Sequence, residues 1–397
     1  AVGSEVYRGA HSYDACCASF RRLLIPGGIA LASDTIGFVT ILLIDIDIIQ
    51  EMAITASLGV AVIILTNLIL LPVLLSYLKV DERYRAKLRR RAEKTGKLWT
   101  RVAVVSKAGP AAAVIGVSLL VLGLGLWKGT NVAIGDLHSG VPELREDSRY
   151  NIDAEVITDR FSVGVDVLSV IVEAGPEGCI NYDVMTLIDG FVWQMENLEG
   201  IQSVISLPTV AKVINAGWNE GSPKWRVLPR NPQTLVQSTY PVDTGSGLLN
   251  KDCSVMPVLI FTSDHKAETI RRIVNEVKAY DQAHSDGAIR FRLATGNVGV
   301  MAATNEAVEA AQYPILGYVF GAIILLCLLT FRSFLATLCI VLPLALVSLL
   351  AYALMNTLQI GLKVNTLPVV ALGVGIGVDY GIYIYARFQS VLDDGYS

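Results

Sequence analysis

Charge is scarce in this chain: 17% of its residues are Asp, Glu, Lys or Arg against 53% hydrophobic, where a soluble domain carries about a quarter charged residues. The shortage is a membrane signal, and its distribution says more than its size. Long apolar runs occupy both ends, while residues 129–312 read as an ordinary soluble domain. Histidine is scarce too. His11, His138, His265 and His284 are scattered, and no Cys or His spacing resembles a zinc site, so neither a metal nor any other cofactor is expected. No nucleophile stands with a base and no phosphate-binding loop is present, which argues against an enzyme. A net charge of −4, without a basic surface and interleaved aromatics, argues against a nucleic-acid partner. After Ala1 there is no basic start, short apolar core and small-residue cleavage site, so no signal peptide is read and the chain is expected to begin within a longer protein.

Six stretches are apolar enough, at about 20 residues, to cross a bilayer as helices: near Pro26 to Ile44, Ala53 to Leu75, Pro110 to Trp127, Pro314 to Thr330, Leu335 to Leu354 and Thr366 to Tyr385. Asp34, Pro26, Gly27 and Gly28 weaken the first. A polar hairpin of Asp45, Asp47, Gln50 and Glu51 between two apolar runs supports it. Between the second and third spans, Lys79 to Lys107 carries Arg83, Arg85, Lys87, Arg89, Arg90, Arg91, Lys94, Lys97 and Arg101 against Asp81, Glu82 and Glu93. Such a basic bias marks a cytoplasmic loop, although the run also suits a nucleic-acid or anionic-lipid patch. Counting crossings then places Arg21, Arg22, Arg332 and Arg387 on the cytoplasmic side and residues 129–312 outside.

The expected organisation is a cytoplasmic amphipathic segment (1–25), two spans (26–78), a basic loop (79–108), one span (109–128), an external domain (129–312), three spans (313–388) and the start of a cytoplasmic segment (389–397). In the external domain Val165 to Glu173 reads as a strand, Tyr182 to Leu198 as a helix and Ile201 to Ser206 as a strand. Val255 to Thr262, Lys266 to His284 (with Asp264 available as a cap) and Ile289 to Leu293 repeat the order. Two β-α-β units in this order predict an α+β, ferredoxin-like split β-α-β layer. An irregular insertion, Pro208 to Asp252, separates them. It is rich in Gly, Pro, Asn and Trp, with Trp218, Asn219, Glu220 and Trp225 as candidates to line a substrate path. A loop of this length is either substrate-facing or an arm on a neighbouring domain.

Of six cysteines, Cys179 and Cys253 fall in the external domain, Cys16 and Cys17 on the cytoplasmic side, and Cys327 and Cys339 in spans. An oxidising exterior permits a Cys179–Cys253 bridge that tethers the end of the insertion; two buried thiols are the alternative.

The last span, Ala371 to Tyr385, is the most informative stretch. Gly373, Gly377 and Gly381 recur every fourth residue as one smooth stripe, and Ala371 and Gly375 form a second stripe leading to Asp379 and Tyr383. A carboxylate at this depth costs about 3 kcal/mol or more facing lipid, so Asp379 is expected to face the bundle. There it is either a proton carrier, with Tyr380 and Tyr383 as hydrogen-bond donors, or a structural carboxylate bonding a neighbouring helix. Asp34, with Ser33, Thr35 and Thr40 near it, is a second, weaker case.

The glycine-rich run Gly373 to Tyr380 ending in Asp-Tyr, Ile134-Gly-Asp-Leu, Phe331-Arg-Ser-Phe and Thr35-Ile-Gly-Phe together resemble the MMPL branch of the resistance-nodulation-division (RND) superfamily over almost the whole chain. The resemblance implies a polytopic inner-membrane exporter whose two halves each have one span, a periplasmic porter domain and five more spans. This chain is similar to the last two spans of the first half followed by the first four of the second. By resemblance, Asp379 and Tyr380 align with the family's proton-relay pair. The span that supplies partner residues is absent, and the last span has no Lys, which sets it apart from the acid and lysine arrangement of multidrug pumps and favours the lipid-type branch.

The expected function is proton-motive-force-driven export of a hydrophobic or lipid-like substrate from a bacterial inner membrane. The expected partners are membrane lipids, the substrate, protons and the rest of its own chain, with a homo-oligomer or periplasmic partner left open. The alternatives are a lipid- or sterol-sensing receptor or protein-translocation accessory subunit of the same fold, and a soluble lipid-binding domain with incidental anchors.

Overall fold

The computed structural model describes residues 2–7, 9–78, 86–87, 90, 95–96, 99–129, 132–138, 140–141, 144–145, 147–161, 163–285 and 287–393. Most of the basic run between the second and third spans, including Arg83, Arg85, Arg89, Arg91, Lys94 and Lys97, lies outside the described residues, as do residues 394–397. The chain divides into two units, one made of Ala1–Ala133 with Ala307–Ser397, the other of Ile134–Glu306.

The first unit opens with α1 (Val2–Tyr7) and α2 (Ser12–Ile41). At Pro26, where the first span was expected to start, α2 runs on unbroken from Ser12. A proline inside a helix removes one backbone donor, and membrane helices tolerate that loss where neighbours cover the freed group. The polar hairpin follows, closed by Gln50, whose side-chain amide donates to the carbonyls of Leu42 (3.2 Å) and Ile44 (2.9 Å). The next helix, α3 (Asp47–Ser76), contains a π-helical stretch over Ile64–Leu70, just before Pro72. Pro72 has no N–H to return to the preceding turn, and a wider turn accommodates the gap. The third membrane-length helix is α4 (Ala108–Gly129).

The second unit contains α5 (Arg149–Arg160), β1 (Val167–Glu173), α6 (Tyr182–Glu196), β2 (Ile201–Ile205), α7 (Leu207–Trp218), α8 (Pro232–Thr239), β3 (Val255–Thr262), α9 (Ala267–His284) and β4 (Arg290–Thr295). The sheet order is β2-β3-β1-β4, every neighbouring pair antiparallel, so each β-α-β unit has its two strands separated by a strand of the other. Alternation explains the core. Met256, Val258 and Ile260 of β3 and Leu168, Val170 and Val172 of β1 are buried, and they meet Met185, Ile188, Phe191 and Met195 of α6 and Ile270, Ile273, Val277 and Tyr280 of α9. Phe191, Tyr280 and Phe291 form its aromatic centre, with centroids 4.9 to 5.1 Å apart.

Two differences from expectation have local causes. The insertion Pro208 to Asp252 is not irregular: it holds α7 and α8. Ser206 caps the first, its hydroxyl accepting from Thr209 N, and Asn231 caps the second, accepting from Gln233 N and Thr234 N; each has a proline in its first turn. Leu207, Ala211 and Leu235 bury into the main core. The polar, Gly- and Pro-rich composition thus marks helix ends. Helix α5 is the second difference. It starts at the Ser148 cap but buries no residue, so it has no apolar stripe by which to be read.

The chain returns to the first unit inside α10 (Asn297–Phe331), then forms α11 (Phe334–Thr357) and α12 (Leu367–Asp393). Six helices among the described residues are long and apolar enough to cross a membrane: Ser12–Ile41, Asp47–Ser76, Ala108–Gly129, Asn297–Phe331, Phe334–Thr357 and Leu367–Leu392. Leu58, Val62, Leu119, Leu120 and Leu335 are exposed on their outer faces, as lipid contact requires. Inside the unit, α12 packs on α2 and α11, and α11 packs on α4. Gly129 permits the last approach, since a Cβ there would lie 2.9 Å from the Leu349 carbonyl oxygen.

Gly296, between β4 and α10, has φ +95° and a Cβ on it would stand 2.2 Å from the Val167 carbonyl oxygen. Gly296→Ala is expected to destabilise the second unit by about 2–3 kcal/mol, seen as a lowered calorimetric Tm. Gly175→Ala, whose Cβ meets nothing within 4 Å, should leave that transition in place.

Candidate functional site

Helical spacing divides the small residues of α12 between two neighbours. Gly377 and Gly381 face α11: Cβ atoms there would lie 2.7 Å from Leu344 Cδ2 and 2.8 Å from Ile340 Cγ2. Gly375 faces α2, where its Cβ would lie 3.7 Å from Asp34 Oδ1, and a Cβ on Gly37 of α2 would lie 3.9 Å from Gly375 Cα. Gly373 meets open space. Small residues on both helices thus line the α2–α12 contact at the level of two carboxylates.

Asp379, one turn beyond Gly375, reaches α2 at Ser33. The Ser33 hydroxyl is buried and has a single hydrogen, which lies between two acceptors: the Ala30 carbonyl at 2.6 Å and Asp379 Oδ1 at 3.2 Å. Asp34 Oδ1 is buried without a hydrogen-bond partner among the described residues, and the Asp34 and Asp379 carboxylates repel when both are charged. Tyr383 lies on the same face, its hydroxyl 3.5 Å from where a Gly27 Cβ would be. Tyr380 does not join them: its side chain is 70% exposed, because one residue along a helix turns a side chain by about 100° away from its neighbour. The Asp-Tyr pair read from sequence is therefore split, and Ser33, noted there only as a neighbour of Asp34, is the residue that touches Asp379.

The remaining candidates lie in the second unit. Cys179 and Cys253 are joined by a disulfide, Cα to Cα 5.4 Å, flanked by Glu177 N donating to Asp252 O and Ala174 N donating to Ser254 O, both at 2.8 Å. Trp218 is exposed at the end of α7, where Asn219 donates to the Asn215 carbonyl (2.8 Å) and Glu220 turns the chain with φ +59°. Trp225 lines a cleft; Trp218, Asn219 and Glu220 do not.

A second buried charge group was invisible in the sequence. His265 and Asp166, 99 residues apart, are 6% and 8% exposed and meet at 2.9 Å (Nδ1 to Oδ2). His265 Nε2 lies 2.8 Å from the Gly140 carbonyl, and Asn297 donates to the other Asp166 oxygen at 2.8 Å. Both ring nitrogens thus face acceptors, which suits the doubly protonated imidazolium. The Asp166 hydrogen bond raises the His265 pKa above its ordinary 6.5 against the opposing effect of burial. No local spacing signals a pair that only folding brings together.

Residues 233–397 match a family model described as MMPL family. Among solved structures, the chain is similar to the hedgehog release protein Disp from the water bear Hypsibius dujardini, at 12% identity and a TM-score of 0.56, over 94% of this chain and 50% of that one. It is also similar to SecDF, a translocon-associated membrane protein from Thermus thermophilus, at 12% identity and a TM-score of 0.42, over 98% of this chain and 41% of that one. No curated protein matches. The class these findings define is a multi-pass membrane protein with a fold like that of Disp, of whose length the chain spans about half. The resemblance to the MMPL family expected from the sequence holds over residues 233–397.

Two outcomes follow from the second unit. Reducing the disulfide, which closes a sequence separation of 74 residues, is expected to cost about 2–4 kcal/mol, read as a lower Tm with dithiothreitol that Cys179→Ser reproduces without it. Because the folded His265 pKa is raised, its contribution is complete below about pH 6.5 and is lost as pH rises through the raised value. Amide hydrogen exchange around Gly140 and Asn297 should therefore speed up with pH beyond its intrinsic dependence, and His265→Gln should abolish that excess.

Proposed function

We propose that this chain is part of a proton-driven RND exporter of the MMPL type, moving hydrophobic or lipid-like substrates out of a bacterial inner membrane. The observation that carries the reading is the Ser33 hydroxyl, poised between the Ala30 carbonyl and Asp379 where α2 and α12 pack. When Asp379 is ionised, Ser33 turns its hydrogen to the carboxylate. When Asp379 is protonated, its own O–H donates to Ser33, whose hydrogen returns to Ala30. One proton thereby reverses the hydrogen bond between two helices, and Asp34 feels the change in charge. In a bilayer, where no water competes, such a change biases how the helices pack.

Residues 134–306 are, on this reading, a periplasmic porter domain of ferredoxin-like split β-α-β type, with strand order and disulfide both in keeping. The helices α4 and α10, whose chains lead into and out of that domain, carry the packing change to it. Export needs no covalent chemistry and no cofactor.

The test uses the full-length protein in proteoliposomes with an imposed pH gradient and a fluorescent lipid analogue as cargo. Asp379→Asn, which keeps the shape and loses the titration, is expected to reduce gradient-dependent movement to the protein-free rate, while Tyr380→Phe retains it. Unchanged gradient-dependent movement in Asp379→Asn would exclude the proton relay and favour a non-transporting lipid receptor or a translocation accessory subunit.

A further inference from the structure

The second unit has a cleft of about 600 Å³, within the size range of small-molecule sites. Its floor is one face of α6, with Tyr182, Thr186 and Asp189 at helical spacing, and its wall is α7, with Lys212 and Asn215. The segment from Trp225 to Asn231 closes the third side. That segment is held in place from below: the buried Asn215 amide donates to the carbonyls of Trp225 (2.8 Å) and Val227 (3.1 Å).

Charge within the cleft is one-sided. Lys212 is paired with Asp189 at 2.5 Å, which uses the lining carboxylate. Arg226 and Arg230 are both exposed, and neither has a carboxylate partner among the described residues. Arg230 lies beside the Tyr182 hydroxyl and holds that phenol below its ordinary value. Beside these charges Trp225, Val227, Leu228 and Pro229 supply an apolar flank, with Trp225 about half exposed. Two guanidiniums match the oxygens of a phosphate or carboxylate, and the apolar flank matches a hydrocarbon joined to it.

We propose that this cleft is a binding site for the anionic head of a lipid-like amphiphile, held by Arg226 and Arg230 with its first carbons against Trp225. The proposal rests on the export reading and narrows its substrate class to acidic amphiphiles. The same chemistry is available to a free phosphate ion, and the two sources are separated by experiment.

Native mass spectrometry of the full chain in a non-ionic detergent measures occupancy by lysophosphatidic acid, lysophosphatidylcholine and inorganic phosphate. Saturable binding of lysophosphatidic acid is expected, weakened about tenfold or more in Arg226→Gln/Arg230→Gln and partly in Trp225→Ala, with lysophosphatidylcholine and phosphate each much weaker. Both arginines are exposed, so the double variant should keep its fold, checked by an unchanged Tm. Equal binding by wild type and double variant overturns the proposal, as does equal affinity for the two lysolipids. Phosphate binding as tightly as lysophosphatidic acid overturns it too, because the occupant is then a free anion. Asp379→Asn should leave this binding untouched, which separates the two readings: loss of transport in Asp379→Asn with no arginine-dependent binding removes the cleft alone, and arginine-dependent binding with transport insensitive to Asp379 removes the relay alone.

Discussion

A carboxylate inside an apolar helix bundle has no water to solvate it, so the structure around it must supply polar contacts or keep it neutral. Asp379 sets this condition for the membrane-embedded unit. Its hydrogen-bond partner among the described residues is a serine, a short side chain reached only where two helix backbones come close. Glycines at 37 and 375 line the contact between α2 and α12, and Gly377 and Gly381 admit Leu344 and Ile340 of α11 where a Cβ would clash. The helix is smooth on two faces because it has two neighbours to meet, and the half-buried Asp379 lies on one of them.

The second unit obeys a different constraint. Its stability comes from an apolar core between sheet and helices, where a buried charge needs partners. Asp166 illustrates the rule: one oxygen accepts from His265 and the other from Asn297. These contacts tie the segment at Gly140, the start of β1, the loop before α9 and the first turn of α10 to one charged centre. The disulfide does comparable work at the far end of the insertion, beside β3.

The insertion shows how composition alone misleads. Its Gly, Pro and Asn content reads as an irregular loop, yet Ser206, Pro208, Asn231 and Pro232 start helices, and Gly221 with Glu220 ends one. Trp225 reaches a cleft because Asn215 holds its backbone down, whereas Trp218, only seven residues earlier, points into solvent. The two tryptophans are equivalent as letters and differ by a hydrogen bond.

Membrane character, the approximate position of each span and the order of strands and helices around Val167 and Val255 were legible in the sequence, because hydrophobic period and run length are local properties. The small-residue stripes of α12 were legible for the same reason, and so was the prominence of Asp379. Local pattern could not decide which neighbour each stripe meets, that α2 continues through Pro26, or that Tyr380 turns away while Ser33 approaches. Those depend on contacts between residues as far apart as 33 and 379. The sequence determined which residues are apolar, small or charged; the tertiary structure alone decided which buried charges find partners, since partnership in a low-dielectric interior is settled by distances that only packing sets.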